Sequence, residues 1–353
     1  MGTRNNRRSI SLKELAVHLG LSTTTLSLVL NNSPAAKNIP QHTKDRIFAA
    51  ARALNYRPNF LAYSLRAQRT HTLGVLVPEL SEGYLATVLS GIEDYLVKEG
   101  YFYFLVSHRH KAELLEQYQK LLIERAVEGL IAVDTPQLKK LPLPLVTVST
   151  RNNIKGVTNI LLNHKQAAIL ALEHLQQLGH RQIAFIKGQD FSSDTEVRWN
   201  SIRDVASQMK IKINSSLVAQ LEGYDPSPET GYIATTKILA CGEPFTALFA
   251  FNDISAIGAI RALNEAKLRV PEDISVIGFD DVTAAAFHNP ALTTIRQPLK
   301  EMGKLAAEYV LRRISEKAEK TVAKVVLVEP ELVIRQSTAP IGTLSKSKPR
   351  GRK

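Results

Sequence analysis

From Leu73 onward the chain alternates short apolar runs with amphipathic stretches, and this alternation restricts its possible folds more than any other feature. Seven runs have the length and composition of buried strands, at 73–77, 102–106, 130–133, 145–148, 183–186, 247–251 and 274–279. The segments between them have helical periodicity, near 86–99, 113–127, 164–178, 197–208, 229–240, 253–266 and 301–315. Because such alternation builds βαβ units, we expect an α/β body of two doubly wound parallel sheets.

Polar residues follow these strands, at the sheet edge where ligands of such folds bind. They can exchange hydrogen bonds with hydroxyl groups and comprise 78–84, 107–110, Asp134, 149–151, 187–190, 252–253 and 280–281. The sequence has no Gly-x-Gly-x-x-Gly after a strand, no Walker A motif, no Gly-x-Ser-x-Gly and no metal-binding motif; His108-x-His110 is better explained as a solvated loop. We therefore expect a binding protein without cofactor or metal, and not an enzyme.

The positive charge lies at the two ends of the chain. Residues 1–70 contain eleven Lys and Arg against two acids, and the last fifteen residues contain five and no acid. The total formal charge is +12, so the body between the ends is nearly neutral. A basic segment on a neutral body is typical of a module that binds nucleic acid. A solvated terminus would show the same charge, and for the tail this second explanation is the better one.

Composition also restricts the compartment. The single cysteine, Cys241, excludes an intrachain disulfide and fits a reducing environment. The first twenty residues have no apolar signal-peptide core, and no run of about 18 apolar residues occurs. We expect a cytoplasmic protein that does not enter a membrane.

The first part of the chain predicts three short helices, at 12–19, 23–31 and 41–55. Ser11 and Glu14 have the spacing of a capping box, and Gly20 suits the left-handed turn that ends a helix. Ser22 can cap the second helix. The helices are expected to pack through their apolar positions, which include Leu26, Val29, Leu30, Ile47, Ala50, Ala51 and Leu54. Two helices joined by a turn at Gly20 predict a helix-turn-helix.

The second helix leaves four side chains outside its apolar stripe: Thr23, Thr24, Ser27 and Leu28. Small hydroxyl groups near a helix N-terminus can bond phosphates or base edges in a major groove, which favours DNA as the partner. A three-helix protein-interaction module would have the same periodicity. It would need exposed large apolar residues, however, and Leu28 is the only clear one.

The runs Ser11–Asn31, Ala53–Asn59 and Ala62–Leu65 resemble the headpiece and hinge of the LacI/GalR (lactose/galactose repressor) family of bacterial transcription regulators. The resemblance continues to about Ala339 and implies that the second helix reads the major groove of a palindromic operator half-site. It assigns Thr23, Thr24 and Leu28 to base-reading positions. It assigns contacts to the DNA backbone, or capping roles, to Ser22, Thr25 and Asn31. Leu28 stands where the family often has Arg, which leaves the operator sequence open.

The same resemblance implies a hinge helix after Pro58 that forms when two protomers lie side by side on DNA. It implies contacts with DNA from Asn59, close approach of the paired hinges at Ala62, and a minor-groove wedge at Leu65. Tyr63 replaces a common Arg. The alternative is an ordinary linker whose leucine packs on the next domain.

In the body, the resemblance implies a two-lobed clamp like that of periplasmic sugar-binding proteins. It predicts a headpiece at 1–58, a hinge at 59–70, a core at 71–339 and a disordered basic tail at 340–353. The lobes are predicted at 71–160 with 292–318, and at 161–291 with 319–339. The implied effector-binding residues are Ser81, Tyr84, Ser149, Arg198, Tyr224, Asn252 and Asp280, although each also has a plausible structural role.

Lys187, Trp199 and the 107–110 loop depart from the family pattern, and extra cations in the cleft would favour a phosphorylated or acidic effector over a neutral sugar. Together these features predict a dimeric transcription repressor controlled by a small molecule, a sugar or sugar derivative. Two alternatives remain: a solute-binding protein of a transport system, and a sugar-modifying enzyme with a DNA-binding head.

Overall fold

The computed structural model of the protein describes residues 10–31, 33–56, 69–80, 83–223, 227–315 and 324–342. By its internal contacts the chain divides into one unit up to Thr70 and another from His71 onward, and each is described by itself. No helix in these ranges is long and apolar enough to span a membrane.

Within residues 10–31 and 33–56, the N-terminal unit contains three α-helices: α1 (Leu12–Leu19), α2 (Thr23–Leu30) and α3 (Gln41–Ala53). The capping box of Ser11 and Glu14 is present, and Gly20 has the left-handed conformation that ends α1. Ser22 caps α2 by accepting the N–H of Thr25. A 3₁₀ helix at Pro34–Asn38 was not predicted. The small core comprises Leu15, Ala16, Leu26, Val29, Ala36, Ile47 and Ala51.

The expectation about the exposed apolar side chain of this unit is wrong. Leu28 is not exposed: it is half-buried and packs against the small core, where Ser33 donates its N–H to the Leu28 carbonyl and turns the chain back. The exposed large apolar side chain is instead Val17 on α1, at 84%. Leu30, Ala50 and Leu54 pack against the core as expected, although they are only partly buried.

The C-terminal unit contains two six-stranded sheets, each with helices packed against it. Its strands are β1 (Thr72–Val77), β2 (Phe102–Ser107), β3 (Gly129–Val133), β4 (Leu145–Val148), β5 (Thr158–Leu162), β6 (Ile183–Lys187), β7 (Val218–Gln220), β8 (Ala247–Phe249), β9 (Ser275–Asp280), β10 (Thr293–Arg296), β11 (Lys324–Val328) and β12 (Glu331–Val333). Its helices are α4 (Tyr84–Lys98), α5 (Ala112–Glu124), α6 (His164–Gln177), α7 (Ser193–Gln208), α8 (Pro228–Ala240), α9 (Asp253–Glu265), α10 (Thr283–Phe287) and α11 (Leu299–Ser315), with a 3₁₀ helix at Ser215–Leu217.

The first sheet has the order β11-β5-β4-β3-β1-β2 and is parallel throughout. The second has the order β12-β10-β9-β8-β6-β7, in which only the β10–β12 pair is antiparallel. We refer to the two sheets with their helices as lobe 1 and lobe 2. The prediction of two doubly wound sheets is confirmed.

The chain passes between the lobes at three interlobe crossings, which lie at 162–164, 296–299 and 328–331. The lobe boundaries predicted at 292 and 319 are therefore wrong: β10 pairs with β9 in lobe 2, and β11 pairs with β5 in lobe 1. Both strands went unrecognised in the sequence, since β10 is short and polar and β11 is an exposed edge strand.

The interior of each sheet is buried, as predicted for β1, β3, β4, β6, β8 and β9. The run at 102–106 is the exception. It forms β2 at the edge of the first sheet, where Phe102 is 62% exposed, so the expectation of a buried strand is wrong there. An apolar run alone does not distinguish an edge strand from a central one.

In each lobe, two helices pack with backbone against backbone. A methyl group at Gly91 of α4 would overlap the carbonyl oxygen of Lys300 in α11, and one at Gly303 of α11 would overlap the carbonyl oxygen of Val88 in α4. In lobe 2, Gly258 of α9 approaches the carbonyl of Pro228 at the start of α8 in the same way. Glycine is required at these positions because the helices have no room for a Cβ.

Candidate DNA-binding helix and ligand cleft

Helix α2 presents its predicted residues in two groups. Ser22, Thr25, Ser27 and Asn31 are hydrogen-bonded within the helix: the Ser22 Oγ accepts from the Thr25 N–H at 3.0 Å, and Asn31 Nδ2 donates to the Ser27 carbonyl at 2.8 Å. Thr23 and Thr24 are exposed at the helix N-terminus. In the first turn, Thr23 and Thr24 are therefore the exposed hydroxyl-bearing residues.

The three predicted hinge residues, Asn59, Ala62 and Leu65, lie outside the described residues. Ser81 and Tyr224 of the predicted effector site also lie outside them.

A cleft opens at the carboxyl ends of both sheets, with a cavity volume of about 100 Å³. A buried water needs about 10–15 Å³, so the space accepts a small organic molecule. Its walls come from both lobes and comprise Pro78, Glu79, Tyr84, His110, Asp134, Gln189, Phe191, Ser192, Asp194, Arg198, Phe251, Asn252, Ile254, Asp280 and Val282. Of the described residues predicted to bind an effector, Tyr84, Arg198, Asn252 and Asp280 therefore meet at one site.

Arg198 lies on α7 and is 4% exposed. Its guanidinium carbon lies 3.7 Å from the ring centroid of Phe279 and 4.3 Å from that of Phe251. One terminal nitrogen donates to the Phe251 carbonyl, and the other donates to Asp194 Oδ2 at 3.3 Å. The stacked rings fix the plane of the guanidinium group at the cleft wall.

Asp194 was not predicted, although its spacing of four residues before Arg198 on the same helix is a recognisable pairing signal. Its second carboxylate oxygen lies 3.3 Å from His164 Nε2. Burial alone would raise the pKa of Asp194, but the neighbouring His164 and Arg198 lower it below its usual value. The carboxylate therefore stays ionised beside Arg198.

Asp280 ends β9 with φ at 107°, a conformation that side-chain-bearing residues rarely adopt. Its carboxylate accepts a hydrogen bond from Gln297 Nε2 at 2.6 Å. Burial raises the pKa of Asp280 to about 7, even though Arg198 and Gln297 act to lower it. The carboxyl group can thus exchange its proton near neutral pH.

Three buried side-chain atoms in the described ranges have no hydrogen-bond partner: His164 Nδ1, Arg198 Nε and Gln297 Oε1. Each unpaired buried polar atom costs about 1–3 kcal/mol. His164 and Gln297 were missed in the sequence because they follow β5 and β10, two of the strands that were not recognised.

Among the lining residues, lobe 1 contributes one hydroxyl group, that of Tyr84. The hydroxyl of Tyr84 is hydrogen-bonded to that of Ser149, and burial raises the pKa of Tyr84 well above its usual value. Ser149 does not line the cavity; it lies behind Tyr84 and sets the direction of the phenol.

Asn252 of lobe 2 lines the cleft and also caps α9, where its side chain accepts the Ser255 N–H at 2.9 Å.

The lobes are joined across the cleft through Asp134, which follows β3. Its carboxylate accepts the backbone N–H of Ser193 at 3.0 Å and the Ser192 and Ser193 hydroxyls, so it caps the N-terminus of α7 from the opposite lobe. Burial, together with the charge of Asp194, raises the pKa of Asp134.

The extra cations expected in the cleft are largely elsewhere. Lys187 pairs with Glu196 at 3.3 Å and lies 5.8 Å from the ring of Trp199, and neither residue lines the cavity. His108 is buried against Thr135, and burial and His110 lower its pKa to about 4. Only His110 reaches the cleft, beside Glu79 and with its ring centroid 4.0 Å from that of Phe191.

Comparisons with known proteins match both units. Residues 11–59 match the family described as bacterial regulatory proteins, lacI family, and residues 172–338 match a periplasmic binding protein-like domain. The HTH-type transcriptional repressor PurR of Pasteurella multocida is 33% identical over 336 residues, which cover 93% of this chain and 98% of that protein.

Solved structures show the same fold. The lac repressor dimer bound to operator and the anti-inducer ONPF has a TM-score of 0.82 at 25% identity, with 94% of this chain and 100% of that chain covered. A LacI family regulator from Enterococcus faecium with bound ribose has a TM-score of 0.66 at 27% identity, with 76% of this chain and 99% of that chain covered.

Proposed function

Because the chain belongs to the LacI family of bacterial regulatory proteins and is therefore a DNA-binding transcription regulator, we propose that it represses transcription as a homodimer on a palindromic operator, under the control of a small molecule bound in the cleft. The match to PurR over nearly the whole length of both chains supports the repressor role.

The DNA contact is assigned to α2. Thr23 and Thr24 present hydroxyls at the first turn of this helix, and Ser22, Thr25, Ser27 and Asn31 are held by bonds that fix the helix ends. The lac repressor, whose fold this chain shares, is bound to its operator as a dimer in the solved structure. The hinge roles of Asn59, Ala62 and Leu65 and the base-reading role of Leu28 are part of the same proposal.

The effector is assigned to a neutral molecule rich in hydroxyl groups. The observation that carries this assignment is the charge of the cleft wall, where Asp134, Asp194 and Asp280 outnumber Arg198, the one permanent cation among the described lining residues. Carboxylates accept hydrogen bonds from hydroxyl groups, whereas they repel phosphate or carboxylate groups. The ribose bound to the Enterococcus faecium regulator supports the same class.

Two further assignments follow from this role. A repressor needs access to chromosomal DNA, so we assign the protein to the cytoplasm. The relatives are transcriptional repressors, and we assign no catalytic activity to the cleft.

The test has two stages. Inverted-repeat sequences bound by the purified full chain are selected from a random DNA library and then measured by fluorescence anisotropy. Pentoses, hexoses, disaccharides and their phosphates are screened by thermal shift, and each compound that raises the melting temperature is added to the operator complex.

We expect a selected inverted repeat, a melting-temperature increase with a neutral sugar, and a change in operator affinity with the same sugar. Selection of no inverted repeat would refute the DNA-binding role. A response only to phosphorylated sugars would refute the effector assignment while leaving the regulator role intact.

A further inference from the structure

The three buried side-chain atoms without partners belong to one connected set of residues. Arg198 Nε lies at the cleft wall, Gln297 Oε1 belongs to the residue that bonds Asp280, and His164 Nδ1 belongs to the residue beside Asp194. All three residues are more than nine-tenths buried, at 4%, 3% and 8% exposure. Native proteins rarely leave such atoms unpaired, so three members of this set lack the partners that their burial requires.

Gln297 lies in the second interlobe crossing, one residue after β10 and two residues before α11. Its amide nitrogen Nε2 donates to Asp280 Oδ1 at 2.6 Å, and its amide oxygen Oε1 is unpaired. A ligand group that binds Asp280 in the cleft therefore also affects Gln297, and the backbone of Gln297 connects the two lobes.

His164 stands in the same relation to the first crossing, because it is the first residue of α6 and follows β5 by two residues. Its Nε2 lies 3.3 Å from Asp194 Oδ1, and Asp194 is bonded to Arg198. The ring also stacks on Phe279, whose face carries the Arg198 guanidinium. The first crossing is thus linked to Arg198 through one carboxylate and one ring.

The first and third crossings are bonded to each other. Asn163 Nδ2 donates to both carboxylate oxygens of Glu329 at 3.1 Å, and the Asn163 N–H donates to the Val328 carbonyl at 2.9 Å. A displacement of the first crossing is therefore shared with the third.

We propose that Gln297 and His164 are positioning residues through which the interlobe crossings respond to the occupied cleft. Effector hydroxyls that bind Asp280 and Arg198 shift these two side chains, complete the unpaired network, and change the angle between the lobes. This inference rests on the proposed function and adds the route by which the bound effector alters operator affinity.

The experiment uses the full chain, the inverted repeat selected above and the neutral sugar that most raises the wild-type melting temperature. Gln297→Met keeps the shape of the side chain and removes its amide, and His164→Leu removes the ring nitrogens. Gln297→Asn, which keeps an amide on a chain one methylene shorter, serves if Gln297→Met does not fold.

Two matched controls remove a buried polar contact without touching the network. Thr294→Val lies on β10 near Gln297 and loses a hydrogen bond of 2.6 Å to Asp253. His174→Leu lies on α6 with His164, has the same 8% exposure, and loses its bond to Thr338.

In allosteric proteins the effector typically changes the affinity of the second ligand by about 5–150-fold. We expect this change to fall below about twofold in Gln297→Met and His164→Leu, with sugar-free operator affinity unchanged, and to persist in both controls. A wild-type response in either network variant, or an equal loss in the controls, would overturn the inference. A wild type that responds to no sugar would instead refute the effector assignment on which it rests.

Discussion

Ser193 donates both its backbone N–H and its hydroxyl to the carboxylate of Asp134, although the two residues belong to different lobes. The bond satisfies an amide at the start of α7, the helix that carries Arg198. A helix cap is ordinarily supplied by the residue that precedes the helix. Here it is supplied across the cleft, so the contact between the lobes and the N-terminal end of α7 stabilise each other.

We expect Asp134→Ala to lower the free energy of unfolding by about 1 kcal/mol, the usual effect of losing a cap, and to open the lobes. Thermal unfolding and the radius of gyration from small-angle X-ray scattering measure the two effects. Asn214→Ala, which loses the bond from the Ser216 N–H within lobe 2, should lower stability without changing the radius. An unchanged radius in Asp134→Ala would show that the contact does not hold the lobes together.

Effector affinity should depend on pH through Asp280, whose pKa burial raises to about 7. A hydroxyl donates to the ionised carboxylate, whose fraction falls about tenfold between pH 8 and pH 6, so the Kd for the sugar should rise by about the same factor. Calorimetric titration measures this. Asp280→Asn should bind weakly and without the pH dependence; a parallel dependence in that variant would assign it to another group.

The same carboxyl group affects stability with a definite sign. Its folded-state pKa lies above its unfolded value, so the folded protein holds a proton that the unfolded chain has lost between about pH 4 and pH 7. Stability should therefore decrease as the pH rises through this window. Chemical denaturation of the wild type and of Asp280→Asn at several pH values measures the difference; an equal slope in both would contradict the assignment.

Trp199 is the only tryptophan in the chain and follows Arg198 directly on α7. Its ring packs edge-on against Phe185 at 5.7 Å, so a shift of α7 changes its surroundings. We expect tryptophan emission to change on titration with any sugar that raises the melting temperature. Trp199→Phe should abolish the signal and retain sugar binding. A stabilising sugar that leaves the emission constant would show that α7 does not move.

Thr24 should contribute to specific DNA binding only. Because a neutral hydrogen bond contributes about 1 kcal/mol, Thr24→Ala is expected to weaken binding to the selected inverted repeat about fivefold and to leave binding to random duplex unchanged. Fluorescence anisotropy at one fixed salt concentration gives both values. Thr43→Ala, a hydroxyl loss on α3, serves as the control and should bind both sequences as the wild type does.

Local signals in the sequence predicted local structure well. The Ser11–Glu14 capping box and Gly20 are defined by neighbours within a few residues, and both are found as expected. The apolar runs located the central strands for the same reason. They missed β5, β7, β10, β11 and β12, all of which lie at or next to a sheet edge.

The cleft was predicted only in part. Tyr84, Arg198, Asn252 and Asp280 follow recognisable strands or match a family pattern, and the structure brings them together. The bonds of Asp134 to Ser193 and of Gln297 to Asp280 join distant parts of the chain, and no spacing rule indicates them. Lys187 was expected to bring a positive charge into the cleft. It pairs with Glu196 instead and does not line the cavity.

The glycine contacts between α4 and α11, and between α8 and α9, bear on how such a protein can respond to a metabolite. Helices that touch through their backbones have no side-chain layer that could repack, so neither lobe can absorb a disturbance by internal sliding. A shift of a few tenths of an ångström at Asp280 or Arg198 therefore has to produce a rigid-body rotation of one lobe relative to the other. The amplitude of that rotation grows with distance from its axis.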